Sequence, residues 1–153
     1  CKDTGFEFLF FNLHMDHIGK KARVESAFLV QEKMKELGAN LPAILTGDFN
    51  VDQTHSSYKA LVSNGVLKDS YESADFRYAT NGTFNSFDPN NFTESRIDHV
   101  FVSPLFKVKK YGYEYMVDAA FCKVVRIEAV ESSVGCIAEI CGFIRVFQHS
   151  IAY

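Results

Sequence analysis

Three short polar motifs, each placed beside or inside an apolar run, restrict the possible folds of this sequence most strongly. They are residues 12–17 (NLHMDH), 47–50 (GDFN) and 96–99 (RIDH). A buried strand delivers such side chains to a fixed place at the edge of a sheet, where α/β proteins build ligand sites. Each motif alone is more often a loop, a turn or a cap than a site. The three together, in this order, indicate one shared site.

Hydrophobic patterning predicts alternating strands and helices. Strands are predicted over 6–13, 41–46, 97–103 and 106–116, helices over 20–37 and about 56–63, and a long turn-rich loop over 79–96. The first strand is almost continuously apolar, so we expect it to be buried on both faces. This order of elements indicates a mixed α/β layer structure.

The helix predicted over residues 20–37 has an apolar stripe suited to packing on a sheet. The stripe consists of Ala27, Val30, Met34 and Leu37. Gly38 is a natural C-cap. Arg23, near the start of the helix, is predicted to lie at the surface or to cap the helix, and contact with a phosphate is the alternative.

Residues 117–153 do not continue this pattern, and we predict an atypical tail distinct from residues 1–116. Neither helix nor strand can be assigned to this tail from its sequence. A zinc site is one interpretation of its composition, with the candidate ligands Cys122, Cys136, Cys141 and His149. Since no Cys-x-x-Cys pair is present, buried apolar cysteines are favoured over zinc ligands.

The net charge and the hydropathy of the sequence limit the kinds of molecule or membrane that the protein is expected to contact. The formal net charge is −3, which disfavours a general electrostatic grip on nucleic acid, because phosphate binding needs clustered Lys and Arg. No stretch reaches the roughly 20 apolar residues that cross a bilayer, so no membrane span is predicted.

Four segments resemble the endonuclease/exonuclease/phosphatase family, whose fold is that of pancreatic deoxyribonuclease. FNLHMDHIGKKAR (residues 11–23) is similar to the family's "NTHLDH" strand end, and TGDFN (46–50) is close to a family signature. GTFNSF (82–87) and SRIDHVFVS (95–103) resemble a later loop and strand. The likeness extends from about residue 5 to 115. It implies an α/β (α+β) fold, the C-terminal half of a four-layer α-β-β-α sandwich.

The resemblance also implies roles for four residues. His14 would contact the scissile phosphate, Asp48 would position or deprotonate the attacking water, and Asn50 would hold that water or a phosphate oxygen. Asp98 would orient a general-base histidine. Phosphoester hydrolysis needs such groups, because it requires a nucleophile, a proton acceptor and neutralisation of developing negative charge. Further candidates are Asp16, His17, Arg23, Asn85, Arg96 and His99.

Mg²⁺ or Mn²⁺ as cofactor and a phosphoester as substrate follow from the same resemblance. The substrate would be a nucleic acid, a nucleotide, or a phospholipid or inositol phosphate head group. The family's metal-binding Asn and Glu belong to an N-terminal half that this sequence lacks, and no Asp-His pair follows Asp98-His99. At Asn85 the nearest relatives tend to carry His. We therefore expect an incomplete metal site and no turnover by this chain alone.

Three functional interpretations stay open. The first is a metal-dependent phosphoesterase. The second is a non-catalytic remnant or a fragment that binds a partner. The third is a structural or zinc-binding module around the C-terminal cysteines, which requires that zinc be found in the purified protein. Neither compartment nor oligomeric state is indicated.

Overall fold

The computed structural model describes residues 5–38, 40–78, 82–84, 86, 88, 94–116, 120–129 and 139–145. These residues form two four-stranded sheets and three helices. The first sheet contains β1 (Leu9–His14), β2 (Ala43–Asp48), β5 (Asp98–Val102) and β3 (Lys68–Asp69), in that order. The second contains β4 (Phe76–Arg77), β6 (Phe106–Met116), β7 (Ala120–Ala129) and β8 (Glu139–Arg145). The helices are α1 (Lys20–Gly38), α2 (Ser56–Val62) and α3 (Ser70–Ser73).

The first sheet is mixed. Strand β1 pairs in parallel with β2, which pairs antiparallel with β5. The parallel pair is very close at Gly47, which has a φ of 148°. A Cβ added there would overlap the Leu13 carbonyl group of β1. Glycine at position 47 therefore permits the pairing that brings the ends of β1 and β2 together.

Two apolar cores lie on opposite faces of the first sheet. Leu45 of β2 and Phe101 of β5 pack with Ala27 of α1 and Leu61 of α2. The alternate positions of the same strands, including Ile44, pack instead toward β6 of the second sheet. Side chains alternate along a strand, so one short apolar strand supplies both cores. The result is a helix–sheet–sheet arrangement, and the predicted mixed α/β fold is confirmed.

The edge position of β1 contradicts one prediction. Strand β1 is not buried on both faces, since its residues alternate between partly buried and exposed, and Phe10 is 55% exposed. The physical reason is its place at the end of the first sheet, where β2 is its neighbour among the described strands.

Helix α1 begins and ends almost where the sequence predicts, but its buried face differs. Ala27 and Met34 are buried as expected, whereas Leu37 is exposed. Gln31 is buried in the same face, and its Nε2 donates to the carbonyls of Ala60 and Leu61 at 3.1 and 2.9 Å. These carbonyls lie near the end of α2, where the helix leaves carbonyl groups without intrahelical partners, so the amide helps to satisfy them.

The other predicted elements over residues 41–46, 56–63, 97–103 and 106–116 agree with β2, α2, β5 and β6 to within two residues at each end. The sequence did not indicate β3, α3 or β4. In the tail, β7 and β8 extend the second sheet antiparallel to β6. The division at residue 116 stays a prediction. The zinc and buried-cysteine interpretations concern side chains outside the described part of the structure.

Candidate active site

Three of the four predicted site residues occupy directly paired positions on adjacent strands. His14 of β1 pairs with Asp48 of β2, and Asp48 pairs with Asp98 of β5. Side chains at paired positions project from the same face of a sheet. The strand order β1-β2-β5 thus places an imidazole and two carboxyl groups side by side.

The imidazole of His14 is the accessible member of this group. Its Nε2 lies 3.5 Å from Oδ2 of Asp48, and the side chains of His14 and Asp48 are 74% and 29% exposed. An accessible imidazole beside a partly buried carboxylate can act as a general acid or a general base toward a bound ligand.

A tight turn after β2 brings Asn50 to the same place. The Asn50 backbone N–H donates to Oδ1 of Asp48 at 2.9 Å, and its side-chain Nδ2 donates to the Met15 carbonyl at 2.8 Å. Asn50 has a φ of 52°, a left-handed conformation that Asn tolerates better than most residues. The Met15 N–H in turn donates to the Asp48 carbonyl at 2.9 Å. These bonds join the ends of β1 and β2 and fix one oxygen of the Asp48 carboxylate.

Asp98 is the deepest of the four, at 6% exposed. Its backbone N–H and that of Ile97 both donate to the hydroxyl of Thr83, at 3.0 and 2.9 Å. The Ile97 carbonyl accepts from the Phe49 N–H at 2.8 Å. Thr83, which sequence analysis did not single out, therefore fixes the start of β5 beside the turn that carries Asp48.

The loop after β1 is organised by Asp16. Its carboxylate accepts from the backbone N–H groups of Ile18 and Gly19, at 2.9 and 3.1 Å. The Ile18 hydrogen bond lowers the pKa of Asp16, and the Gly19 bond and nearby His17 act in the same direction. Asp16 and the exposed His17, second-rank site candidates in the sequence, lie in this loop, and Asp16 stabilises its turn.

Arg23 is buried, at 5% exposed, so the prediction of a surface or capping position was wrong. Its Nη1 donates to the Asp16 carbonyl at 2.7 Å, and Nη2 lies 3.5 Å from Nε2 of His55. The Nδ1 atom of His55 accepts the Ser57 N–H at the start of α2. Burial, followed by the charges of Arg23 and Lys20, lowers the pKa of His55. Arg23 thus joins the loop after β1 to the loop before α2.

A buried polar cluster lies behind the site, and we call it the Asp69 cluster. Its members are Asp69, Tyr58, Arg96 and His99. Oδ2 of Asp69 accepts from the Tyr58 hydroxyl at 2.9 Å and lies 3.2 Å from Nη2 of Arg96. Burial alone would raise the pKa of Asp69, but the nearby His99 imidazole, the Arg96 charge and the Tyr71 N–H together outweigh burial, so this pKa is lowered. Burial, with the Asp69 carboxylate, raises the pKa of Tyr58 and keeps its hydroxyl a donor.

His99 connects this cluster to the turn after β2. Its Nε2 lies 2.9 Å from the Val51 carbonyl, and its Nδ1 lies 3.4 Å from Oδ2 of Asp69. The ring packs against Phe49 and stacks on Phe101. His99 and Arg96 were second-rank candidates for the site. His99 follows Asp98 on β5, so its ring lies on the opposite face of the sheet from His14, and both residues belong to the Asp69 cluster instead. Asn85 lies outside the described residues.

A divalent metal does not fit the described residues as a complete site. Within that part of the chain, no group of three or more His, Cys, Asp or Glu side chains is arranged to hold a metal ion. Asp48 and Asp98 offer two neighbouring carboxyl groups, whereas Mg²⁺ takes an octahedral shell of oxygen ligands. Further ligands would have to come from elsewhere.

The fold and the polar residues at the strand ends can now be compared with those of known protein families. The sequence matches the Endonuclease/Exonuclease/phosphatase family over residues 11–119. The chain belongs to this family. No curated protein matches the sequence.

Solved structures agree with this assignment. A Bacteroides thetaiotaomicron VPI-5482 protein described as a mannosyl-6-phosphatase is 76% identical, with a TM-score of 0.70 over 80% of this chain and 48% of that chain. An endonuclease/exonuclease/phosphatase from Bacteroides vulgatus is 32% identical, with a TM-score of 0.62 over 76% of this chain and 45% of that chain. A conserved protein of unknown function from Enterococcus faecalis V583 shares the fold at 23% identity and a TM-score of 0.63, over 82% of this chain and 52% of that chain.

The chain spans about half the length of these relatives. Among the described residues, no helix combines the length and apolar character needed to cross a membrane.

Proposed function

We propose that the domain represented by this chain hydrolyses phosphate esters, and that its substrate is a sugar phosphomonoester of the mannose 6-phosphate kind. The observation that carries this proposal is the row of His14, Asp48 and Asp98 at adjacent strand ends of the first sheet. The substrate class rests on the relative described as a mannosyl-6-phosphatase, which is 76% identical over 80% of this chain. The net charge of −3 also favours a small phosphate ester over long nucleic acid.

The groups present suit an in-line displacement at phosphorus. A water oxygen forms the new P–O bond as the bond to the sugar oxygen breaks. Asp48, held by Asn50, positions that water and either accepts its proton or directs it to the histidine that Asp98 is proposed to orient. His14 donates to a non-bridging oxygen or supplies the proton that the departing sugar oxygen needs. Each proton transfer requires a positioned group within hydrogen-bond reach of the reacting atom.

Asn50 is proposed to have a structural role in addition to holding the water or a phosphate oxygen. Because its Nδ2 already donates to the Met15 carbonyl, the side chain also holds the turn. Asp98 is proposed to orient a histidine that acts as general base. The adjacent His99 is not this histidine, since its ring is directed to Val51 and Asp69.

We further propose that turnover requires Mg²⁺ or Mn²⁺. When bound, the ion would neutralise the charge that develops on the phosphoryl oxygens. Among the residues that the structure describes, two neighbouring carboxylates are too few to hold it, and we propose that the 153-residue chain alone shows no turnover.

Two proteins test this proposal. One is the 153-residue chain, and the other is a chimera in which residues 11–119 replace the matching part of the Bacteroides thetaiotaomicron relative. Each is assayed with mannose 6-phosphate and with a phosphodiester, with and without a chelator. We expect chelator-sensitive release of phosphate from mannose 6-phosphate by the chimera and none by the chain. A folded chimera that releases no phosphate from either ester refutes the proposal.

A binding function without catalysis is the second candidate. The observation that favours it is the exposed edge strand β1, where Phe10 presents an apolar ring to solvent. An edge strand with an apolar side chain is a place where another polypeptide can pair. If the chimera hydrolyses a phosphate ester and this activity depends on Asp48, a binding function without catalysis is excluded.

A further inference from the structure

We propose that His99, whose ring lies between Asp69 and the Val51 carbonyl, is a positioning residue for the turn that follows Asp48 and contains Asn50. The proposal concerns how the candidate site is held in shape, and its link to hydrolysis rests on the proposed function. It gives a role to two residues that lie on the opposite side of the sheet from the reacting groups.

The turn after β2 is attached to β5 on both sides of Asn50. Before Asn50, the Phe49 N–H donates to the Ile97 carbonyl at 2.8 Å. After it, the Val51 carbonyl faces Nε2 of His99 at 2.9 Å. Asn50 itself is held at a φ of 52° between these two attachments. A left-handed residue persists where its surroundings hold it, and two fixed flanks do so here.

The chemistry of the two partners determines where one proton of His99 lies. A carbonyl oxygen can only accept, so Nε2 of His99 must carry a hydrogen and donate it to Val51. The His99 side chain is 0% exposed, so solvent does not compete for this bond. Removing the donor would leave a buried carbonyl without a partner, which is unfavourable.

Asp69 lies at the other nitrogen of the ring. Its Oδ2 faces Nδ1 of His99 at 3.4 Å, and Asp69 is itself fixed by the Tyr58 hydroxyl and the guanidinium of Arg96. The Asp69 cluster therefore supports the Val51 carbonyl from behind.

The last link reaches the candidate site. The Asn50 N–H donates to Oδ1 of Asp48 at 2.9 Å. If the turn shifts at Val51, the left-handed Asn50 is released and this bond is lost. Oδ1 of Asp48 would then lose the donor that orients the carboxylate toward His14.

Two substitutions of His99 in the 153-residue chain separate positioning from general stability. His99→Gln places an amide N–H where Nε2 lies and can donate to Val51. His99→Asn places its amide near the Nδ1 position, so it can reach Asp69 but not Val51. Both variants lose the imidazole ring and its packing, so a merely structural role lowers their stabilities alike.

Hydrogen exchange of the Asn50 backbone amide, followed by NMR, is the deciding measurement. We expect protection in His99→Gln within about threefold of the wild type and a loss of about tenfold or more in His99→Asn, at similar melting temperatures. Equal protection in the two variants, or better protection in His99→Asn, overturns the proposal.

Binding of inorganic phosphate to the same three proteins, followed by NMR titration, keeps the two proposals apart. If wild type binds phosphate and His99→Asn binds it at least about tenfold more weakly than His99→Gln, the positioning role extends to the site. If wild type binds no phosphate, the proposed function is weakened, while the Asn50 exchange pattern still decides the role of His99.

Discussion

The Nε2 atom of His14 lies 3.5 Å from Oδ2 of Asp48, on paired residues of the parallel strands β1 and β2. The two residues are 34 positions apart in the chain, with helix α1 between them. The parallel pairing of β1 with β2 brings them together. Asp98 continues the same row on β5. This row is the structural basis for the predictions about hydrolysis that follow.

Asp48 is expected to be essential for hydrolysis. In the chimera, Asp48→Asn removes the carboxylate that positions or deprotonates the water while keeping the size of the side chain, and we expect kcat to fall on the order of 10²-fold or more. Phosphate release from mannose 6-phosphate measures the effect. The matched control is Asp52→Asn, a change in the following loop at a carboxylate that accepts from Thr54. Equal losses in both variants would argue against a special role for Asp48.

The left-handed backbone of Asn50 predicts an unusual order of stability. Asn50→Ala loses the Met15 hydrogen bond and keeps the steric cost of a φ of 52°. Asn50→Gly loses the same bond but adopts that φ without strain. We expect the alanine variant of the chain to be less stable by about 1 kcal/mol than the glycine variant, measured by chemical denaturation. An alanine variant at least as stable as the glycine variant would show that the turn relaxes.

Gly47 is expected to tolerate no side chain. An alanine Cβ at this position overlaps the Leu13 carbonyl, so Gly47→Ala must separate β1 from β2. We expect a loss of about 3 kcal/mol or more in the free energy of unfolding. Gly65→Ala is the control, because Gly65 also has a positive φ, of 72°, yet a Cβ there meets no atom within 4 Å. Its expected cost is only about 1 kcal/mol, and similar costs at both sites would contradict the proposed clash.

The lowered pKa of Asp69 predicts a contribution to acid stability. In the unfolded chain the carboxyl titrates near its ordinary value of 3.8, and in the folded chain it titrates lower. Its stabilising contribution is therefore complete above that ordinary value and is lost as the pH falls through the folded pKa. NMR titration of the Asp69 carboxyl carbon in the folded chain should give a midpoint below 3.8. A midpoint at or above this value would show that burial outweighs His99 and Arg96.

Denaturation at a series of pH values tests the same point through stability. The wild-type free energy of unfolding should fall more steeply below pH 3.8 than that of Asp69→Asn, which has no carboxyl to protonate there. If Asp69→Asn proves too unstable to measure, the carboxyl titration of the wild type decides the prediction alone.

The sequence by itself determined the local elements and the motifs of this protein. The 3.6-residue periodicity of α1 and the short apolar runs of β2 and β5 depend on neighbouring residues, and their predicted bounds agree closely with the structure. The family and the positions of His14, Asp48, Asn50 and Asp98 at strand ends were also readable. Their catalytic roles stay predictions.

Only the tertiary structure decided which residues become buried partners. Arg23 and Gln31 are polar residues on a helix, and nothing local indicates that each is buried against carbonyl groups. Asp69 lies 30 positions from His99, and His99 lies 48 positions from Val51. Neither contact can therefore be predicted from residues that are close together in the sequence. Burial, the lowered pKa of Asp69 and the left-handed Asn50 arise from these long-range contacts, which form only when the sheet and helices pack together.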